Sequence, residues 1–257
     1  MLLIVPPSET KRAAPASGPP VDLASLSFPE LDPTRRRVAD ALVRTSADLD
    51  AFQRLGVRST LAHEVARNVH LFEVPALPVL DVYTGPLHDG LAAARLSMDA
   101  AARARRQLVV TSALWGALRP TDRIPPYRLH LFAHLIGLDR LASVWREVLP
   151  NVLADAAGAA GVVVDLRSPH YQSAGLPSGI ADRLVTLRVS PGAAGARIGD
   201  VVAKRSRGEA AHELLESGAD PGDAHALADV LARRWPVRLE LPEHPGVGST
   251  LTLTVER

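Results

Sequence analysis

The chain has 257 residues, 47% hydrophobic and 22% charged, a make-up that supports a buried core and leaves the domain count open. It has no cysteine, which excludes disulfides, thiolate metal sites, iron–sulfur clusters and thiol catalysis. With 29 basic against 28 acidic residues the net charge is +1, so any nucleic-acid role has to come from a local patch rather than a global field.

Met1 leads directly into Leu2-Leu3-Ile4-Val5 and then Pro6-Pro7. That run is too short for a signal-peptide core and no basic segment precedes it, so a cytoplasmic chain opening on a buried strand is expected. No apolar run reaches the roughly 18–20 residues of a membrane span, and no membrane partner is expected. Residues 6–33, rich in Pro, Ser and Ala, read as an irregular wrapping segment. Arg35 to Leu42 and Leu49 to Leu55 carry helical spacing, broken by Gly56. Ser59-Thr60 suits the cap of a further helix reaching Phe72. Residues 73–90 hold three prolines and two glycines and read as mostly loop, with Val79 to Tyr83 extended.

Ser97 is placed to cap a helix through Arg106, followed by a buried strand at 108–111. Residues 116–126 are turn-rich, and 139–157 read as one helix ended by Gly158 and Gly161. A second buried strand covers Val162 to Leu166. Two strands, 183–190 and 197–204, are expected to join through a turn at 191–195. Helices are expected at 207–217 and 223–234, and an antiparallel pair at 237–241 and 250–255. The irregular alternation predicts one mixed α+β domain over 1–257, a central mixed sheet flanked by helices.

Polar residues collect at the ends of the predicted strands. Strand 2–5 runs into Ser8, Glu9 and Lys11. Strand 108–111 runs into Ser112, then Arg119 and Asp122. Strand 162–166 holds Asp165 and runs into Arg167, Ser168 and Tyr171. The expected strand 197–203 runs into Lys204, Arg205, Ser206, Arg207 and Gly208 at a helix start. Ligands of sheet proteins sit where strand ends converge. Cations at a helix start, with free backbone N–H groups, suit a phosphate or carboxylate. Tyr127-Arg128 adds an aromatic ring and a guanidinium for clamping an anion or stacking on a base, while Trp115 reads as core.

Of the 29 basic residues only Lys11 and Lys204 are lysine, and the remaining 27 are arginine. In a chain biased so strongly toward arginine, a retained lysine points to a need for a compact ammonium or for an amine that can lose its proton. His130 and His134 are four apart, but no third ligand accompanies them, and no metal set or cofactor is specified.

These blocks resemble the YaaA family of peroxide-stress proteins (UPF0246), in its actinobacterial form. The resemblance is carried by Pro7-Ser8-Glu9 with Lys11, Val82-Tyr83-Thr84-Gly85, and Ser112-Ala113-Leu114-Trp115-Gly116-Ala117-Leu118-Arg119-Pro120 with Asp122. It continues through Pro126-Tyr127-Arg128-Leu129, Trp145, Asp165-Leu166-Arg167-Ser168 with Tyr171, and Ala203-Lys204-Arg205 with Arg207-Gly208. The blocks keep the family order from residue 6 to 208. The chain departs from the pattern at Thr10 and Arg12, where Gly and Thr are common, and at His170, where an acidic residue often stands. The resemblance implies a single mixed α/β domain with an electropositive cleft and a role in protection against hydrogen peroxide. It also implies reduced reactive iron, DNA binding and a helix-hairpin-helix element, which Leu49 to His63 would supply with Leu55-Gly56-Val57 as its hairpin.

Two functional expectations follow. One is a stress protein whose cleft binds phosphate-bearing ligands such as DNA. The other is an enzyme acting on a small phosphorylated or nucleotide-like substrate. Lys11, Asp165 and Lys204 are the candidates for acid–base work. Ser8, Tyr83, Ser112, Arg119, Asp122, Tyr127, Arg128, Ser168, Tyr171 and Arg207 are the candidates for ligand binding. The oligomeric state is left open. A third possibility, an adaptor without a ligand, predicts that the strand ends do not converge.

Overall fold

In the computed structural model, which describes residues 1–192 and 197–256, nine strands follow in chain order: β1 Leu2–Val5, β2 Leu77–Pro78, β3 Leu108–Ser112, β4 Gly116–Leu118, β5 Arg123–Ile124, β6 Val163–Asp165, β7 Leu184–Pro191, β8 Val237–Glu240 and β9 Ser249–Val255. Seven of them make one sheet in the order β4-β3-β1-β6-β7-β9-β8, and β2 pairs separately with β5. The five inner strands run parallel, and an antiparallel strand closes each edge. Every residue of β1, β3 and β6 is buried, as expected of central strands covered on both faces. One continuous apolar core fills the space between sheet and helices, giving a single α/β domain with a mixed sheet.

The topology decides where a ligand site belongs. From β1 the chain moves to β3 on one side of the sheet, and from β6 it moves to β7 on the other. β1 and β6 are neighbours, with Ile4 opposite Asp165. The connections therefore part above the carboxyl ends of these two strands, leaving a crevice.

Two further features brace the fold, the first of them at that crevice. Helix Asp200–Ser217 crosses the short helix Pro86–Leu91, with Gly208 against the carbonyl of Leu87 and Gly90 against that of Arg205. On the other flank, the fully buried Arg35 of helix Asp32–Ser46 donates to the carbonyls of Trp115 at 3.0 Å, Ala117 at 2.8 Å and Ser27 at 2.7 Å. Its guanidinium pins the β3–β4 hairpin, and it pairs with Asp32 at 2.9 Å.

Several expectations need correction. Residues 197–204 are not a strand. The helix starts at Asp200, so Lys204 and Arg207 stand on its first two turns rather than at a strand end. Val201 and Val202, inside the expected strand, are largely exposed. β7 consequently pairs with β6 and β9, and residues 193–195 of the expected turn lie outside the described residues. Val79–Val82 is a helical turn, not an extended segment, entered from Pro78 and closed by the Tyr83 amide donating to the Val79 carbonyl. Pro86–Leu91 is also helical, with Pro86 in the first turn, where its missing N–H costs nothing. The segment 139–157 is two helices, Leu141–Arg146 and Leu149–Ala157, the second with Pro150 in its first turn.

The Gly56 corner joins helix Ala51–Leu55 to helix Ala62–Val69. Its amides at Gly56 and Val57 donate back to Gln53 and Phe52. These N–H groups close the first helix instead of standing free for a phosphate, and the helix-hairpin-helix expectation is not confirmed. Among the described residues no helix is long and apolar enough to cross a membrane.

Candidate functional site

A cavity of about 360 Å³ occupies the crevice, within the range of small-ligand sites. The loop after β1, residues 6–10, forms one wall. Ser168 and Tyr171, after β6, form a second. Leu87 and His88 of helix Pro86–Leu91, with Asp200, Lys204 and Arg207 of the crossing helix, complete it. The strand ends that the sequence marked out at 6–11 and 166–171 thus meet at one place, together with the 200–207 helix.

The β1 loop is held by pairing with residues 82–84. The Arg12 amide donates to the Val82 carbonyl at 2.9 Å, and Thr84 donates to Thr10 at 3.2 Å. Gly85, at φ 108°, brings its backbone close under the hydroxyls of Ser8 and Thr10. Lys11 then turns its ammonium back on the loop, donating to the carbonyls of Ser8 at 2.9 Å and Glu9 at 3.4 Å. Its Nζ lies 4.2 Å from the ring centre of Tyr127 and 5.5 Å from that of Tyr83. Burial is the main cause that pushes this amine down to about 8, against the opposing pull of Glu9. Lys204 is different. It is half exposed and pairs with Asp200 at 2.6 Å.

Tyr83 and Tyr127 flank Lys11. Tyr83 and Tyr127 share a hydrogen bond of 2.8 Å, and Tyr127 and Ser112 share one of 2.7 Å. Tyr171 lies near enough to feel the charge state of Tyr83. Desolvation raises all three phenols, Tyr83 to about 12 and the other two well above their ordinary value.

Arg128 reaches the same loop, donating to the Glu9 carbonyl at 3.2 Å, with the carboxylates of Glu64 at 3.6 Å and Glu9 at 3.8 Å. Arg207 lines the cavity, and its Nε is buried without a partner. Burial lowers the Arg207 guanidinium despite the nearby Asp200 and Asp165. The second of these carboxylates is already engaged, since Asp165 and Arg167, both fully buried, make a two-pronged ion pair at 2.9 and 2.7 Å. The cavity itself is thus lined by the cations Lys204 and Arg207 with the carboxylates Glu9 and Asp200, while Lys11 and Arg128 hold the 6–10 loop that forms its wall without lining it. The arrangement can hold an anion, and it offers one amine able to act near neutrality.

Other expected site residues stand elsewhere. Arg119 donates to the carbonyls of Arg106 at 2.7 Å and Leu108 at 3.4 Å, and stacks on Phe28. Asp122 accepts from Ser27 and from the Arg119 amide, tying the wrapping segment to the turn after β4. Neither lines the cavity, and Lys11, Tyr83, Ser112, Tyr127, Arg128 and Asp165 also stand outside its lining. Trp115 is core, as read. Sequence reasoning missed His88, Thr10 and Asp200 as lining residues. His88 carried no signal, because its helix was read as loop. Its Nε2 contacts the Pro6 carbonyl at 3.2 Å, and burial pushes its imidazolium down to about 4.

Residues 1–236 match a family model described as peroxide stress protein YaaA. A UPF0246 protein of Streptomyces coelicolor is 39% identical over 250 residues, covering 96% of this chain and 95% of the relative. A UPF0246 protein of Corynebacterium efficiens is 36% identical over 258 residues, covering 99% and 100%. One of Corynebacterium glutamicum is 35% identical over 263 residues, with the same coverage.

Proposed function

As the chain belongs to the peroxide stress protein YaaA family, we propose that it serves the peroxide-stress response by binding a small phosphate-bearing compound in the crevice between β1 and β6, and that Lys11 does proton-transfer work there. The observation that carries this reading is Arg207: a partly buried guanidinium whose Nε is buried without a partner, on the wall of a ligand-sized cavity. A buried donor without a partner is costly, and an anionic ligand would complete it. Lys204, across one helical turn from Asp200, adds a second positive charge at the mouth.

Lys11 supports the enzymatic form of this reading. With its amine pushed down to about 8, part of it is unprotonated near neutral pH and able to take a proton from a substrate that reaches it past the 6–10 loop, since Lys11 itself does not line the cavity. DNA fits the crevice less well. The chain is nearly neutral, and Arg205, outside the cavity lining, is paired with Glu209 of its own helix. A duplex binder asks for an open basic track.

Native mass spectrometry of freshly purified protein tests the proposal. The expected result is a retained phosphorylated adduct in the wild type that is absent from Arg207→Met. A bare mass, together with no phosphate or nucleotide binding by calorimetry, would overturn it. DNA affinity that falls steeply with salt and is lost in Arg207→Met would favour the polymer instead.

A further inference from the structure

Counting protons gives the hydroxyl chain Ser112–Tyr127–Tyr83 a direction. Ser112 Oγ accepts the amides of Leu114 at 3.2 Å and Trp115 at 3.0 Å, which occupies both of its lone pairs. Its single proton therefore goes to Tyr127 Oη, 2.7 Å away. Tyr127 then donates its own proton to Tyr83 Oη, at 2.8 Å. The proton of Tyr83 is left over, and none of the described residues accepts it. Tyr83 is 2% exposed, so this is a buried donor with an unfilled bond.

A second free donor lies close by. Tyr171 lines the cavity, and none of the described residues hydrogen-bonds its hydroxyl. The two phenols sense each other electrostatically. The ring of Tyr83 packs 5.4 Å from that of His88, which also lines the cavity. Both phenols are kept neutral by burial, so each is a donor across the physiological range.

We propose that Tyr83 and Tyr171 form an oxygen subsite, two O–H donors that receive a carbonyl or hydroxyl oxygen of the same ligand whose anionic group rests on Arg207 and Lys204. The inference rests on the anion reading given above and narrows it. The ligand is bifunctional: a phosphate at one end and a second acceptor oxygen at the other, as in a sugar phosphate or a phosphorylated oxo compound. Inorganic phosphate fills only half of the site. Neutral phenols favour an oxygen that gains negative charge, so the subsite also suits a reaction in which Lys11 removes a proton beside a carbonyl.

Calorimetry with inorganic phosphate, glycerol 3-phosphate and ribose 5-phosphate tests this. The wild type is expected to bind at least one of the organic phosphates roughly tenfold more tightly than inorganic phosphate, the range of one or two added hydrogen bonds. Tyr83→Phe and Tyr171→Phe should each erase most of that advantage while leaving inorganic phosphate within twofold. Equal affinity for all three compounds overturns the oxygen subsite and leaves the anion site standing. No binding of any compound overturns both. Wild-type protein labelled with 3-fluorotyrosine gives a readout without substitution, since only three tyrosines contribute 19F signals. The organic phosphate should move two of the three and inorganic phosphate none. Signals that respond equally to both overturn the subsite.

Discussion

Gly90 and Gly208 interlock across a helix crossing that has no room for a methyl group on either. A Cβ on Gly208 would stand 1.9 Å from the carbonyl oxygen of Leu87, and one on Gly90 would stand 2.2 Å from that of Arg205. One helix carries His88 and the other Lys204 and Arg207, so this backbone-to-backbone contact sets the width of the cavity. Gly208→Ala should force the helices apart. A loss of about 3 kcal/mol is expected, the upper range for overpacking, because the obstacle is backbone and cannot swing aside. Phosphate affinity should fall with it. Urea unfolding and calorimetry on the same preparation check both. A variant as stable as the wild type would mean the crossing is looser than the geometry requires.

Much of this arrangement was legible in the sequence. The buried runs at 2–5, 108–111 and 162–166 announced the central strands, and the polar blocks after 5 and 166 meet as expected. The failures have physical causes. Val201-Val202-Ala203 has the composition of a strand, yet both valines are exposed on a helix, so apolar content misled where burial was absent. Pro86 suggested a loop, although proline is well tolerated in a first helical turn. Arg119 and Asp122 follow the end of β3 in sequence, but the β3–β4 hairpin carries them away from the crevice. Local pattern does not report where a hairpin returns. His88 entered the site only through a long-range helix crossing, which no local spacing encodes.

The two lysines should respond differently to the same conservative change. Lys204 is half exposed and paired with Asp200, so it acts as a charge at the cavity mouth. Lys204→Arg should leave phosphate affinity within about twofold, since screening keeps exposed pairs weak. Lys11 is enclosed by Tyr83, Tyr127 and two carbonyls. Lys11→Arg brings a wider group that cannot lose its proton, and it should reduce any turnover by at least about a hundredfold. Calorimetry on the first variant and single-turnover assays on the second separate the roles. Equal losses in both would deny Lys11 its special place.

Acid should weaken the fold through His88. Its folded value is pushed down to about 4 from an ordinary 6.5, mainly by burial. Between these limits the unfolded chain binds a proton that the native state refuses, so stability falls as pH drops from about 6.5 to about 4. The full effect is on the order of 3 kcal/mol. His88→Asn should flatten this part of the stability profile, whatever its cost at pH 7. Urea midpoints taken at half-unit steps from pH 7 to 4 give the comparison. Parallel slopes in wild type and variant would assign the acid sensitivity to other groups.

Asp165 was expected to do acid–base work, and its geometry supports a different role. Its Oδ1 accepts both the Arg167 amide and Nε, and its Oδ2 accepts the far guanidinium nitrogen at 2.7 Å. Neither residue reaches solvent. The pair folds the chain sharply after β6 and so aims Ser168 and Tyr171 at the cavity. Asp165→Asn would leave the Arg167 charge buried and unmatched, a change that typically costs about 3–5 kcal/mol. Adding Arg167→Met removes the stranded charge and should recover part of that loss, an interaction energy a double-mutant cycle reads directly. A catalytic base predicts the opposite pattern: Asp165→Asn folds as well as wild type and only turnover suffers. Urea unfolding of the two single variants and the double variant therefore decides between a structural clamp and a reacting carboxylate.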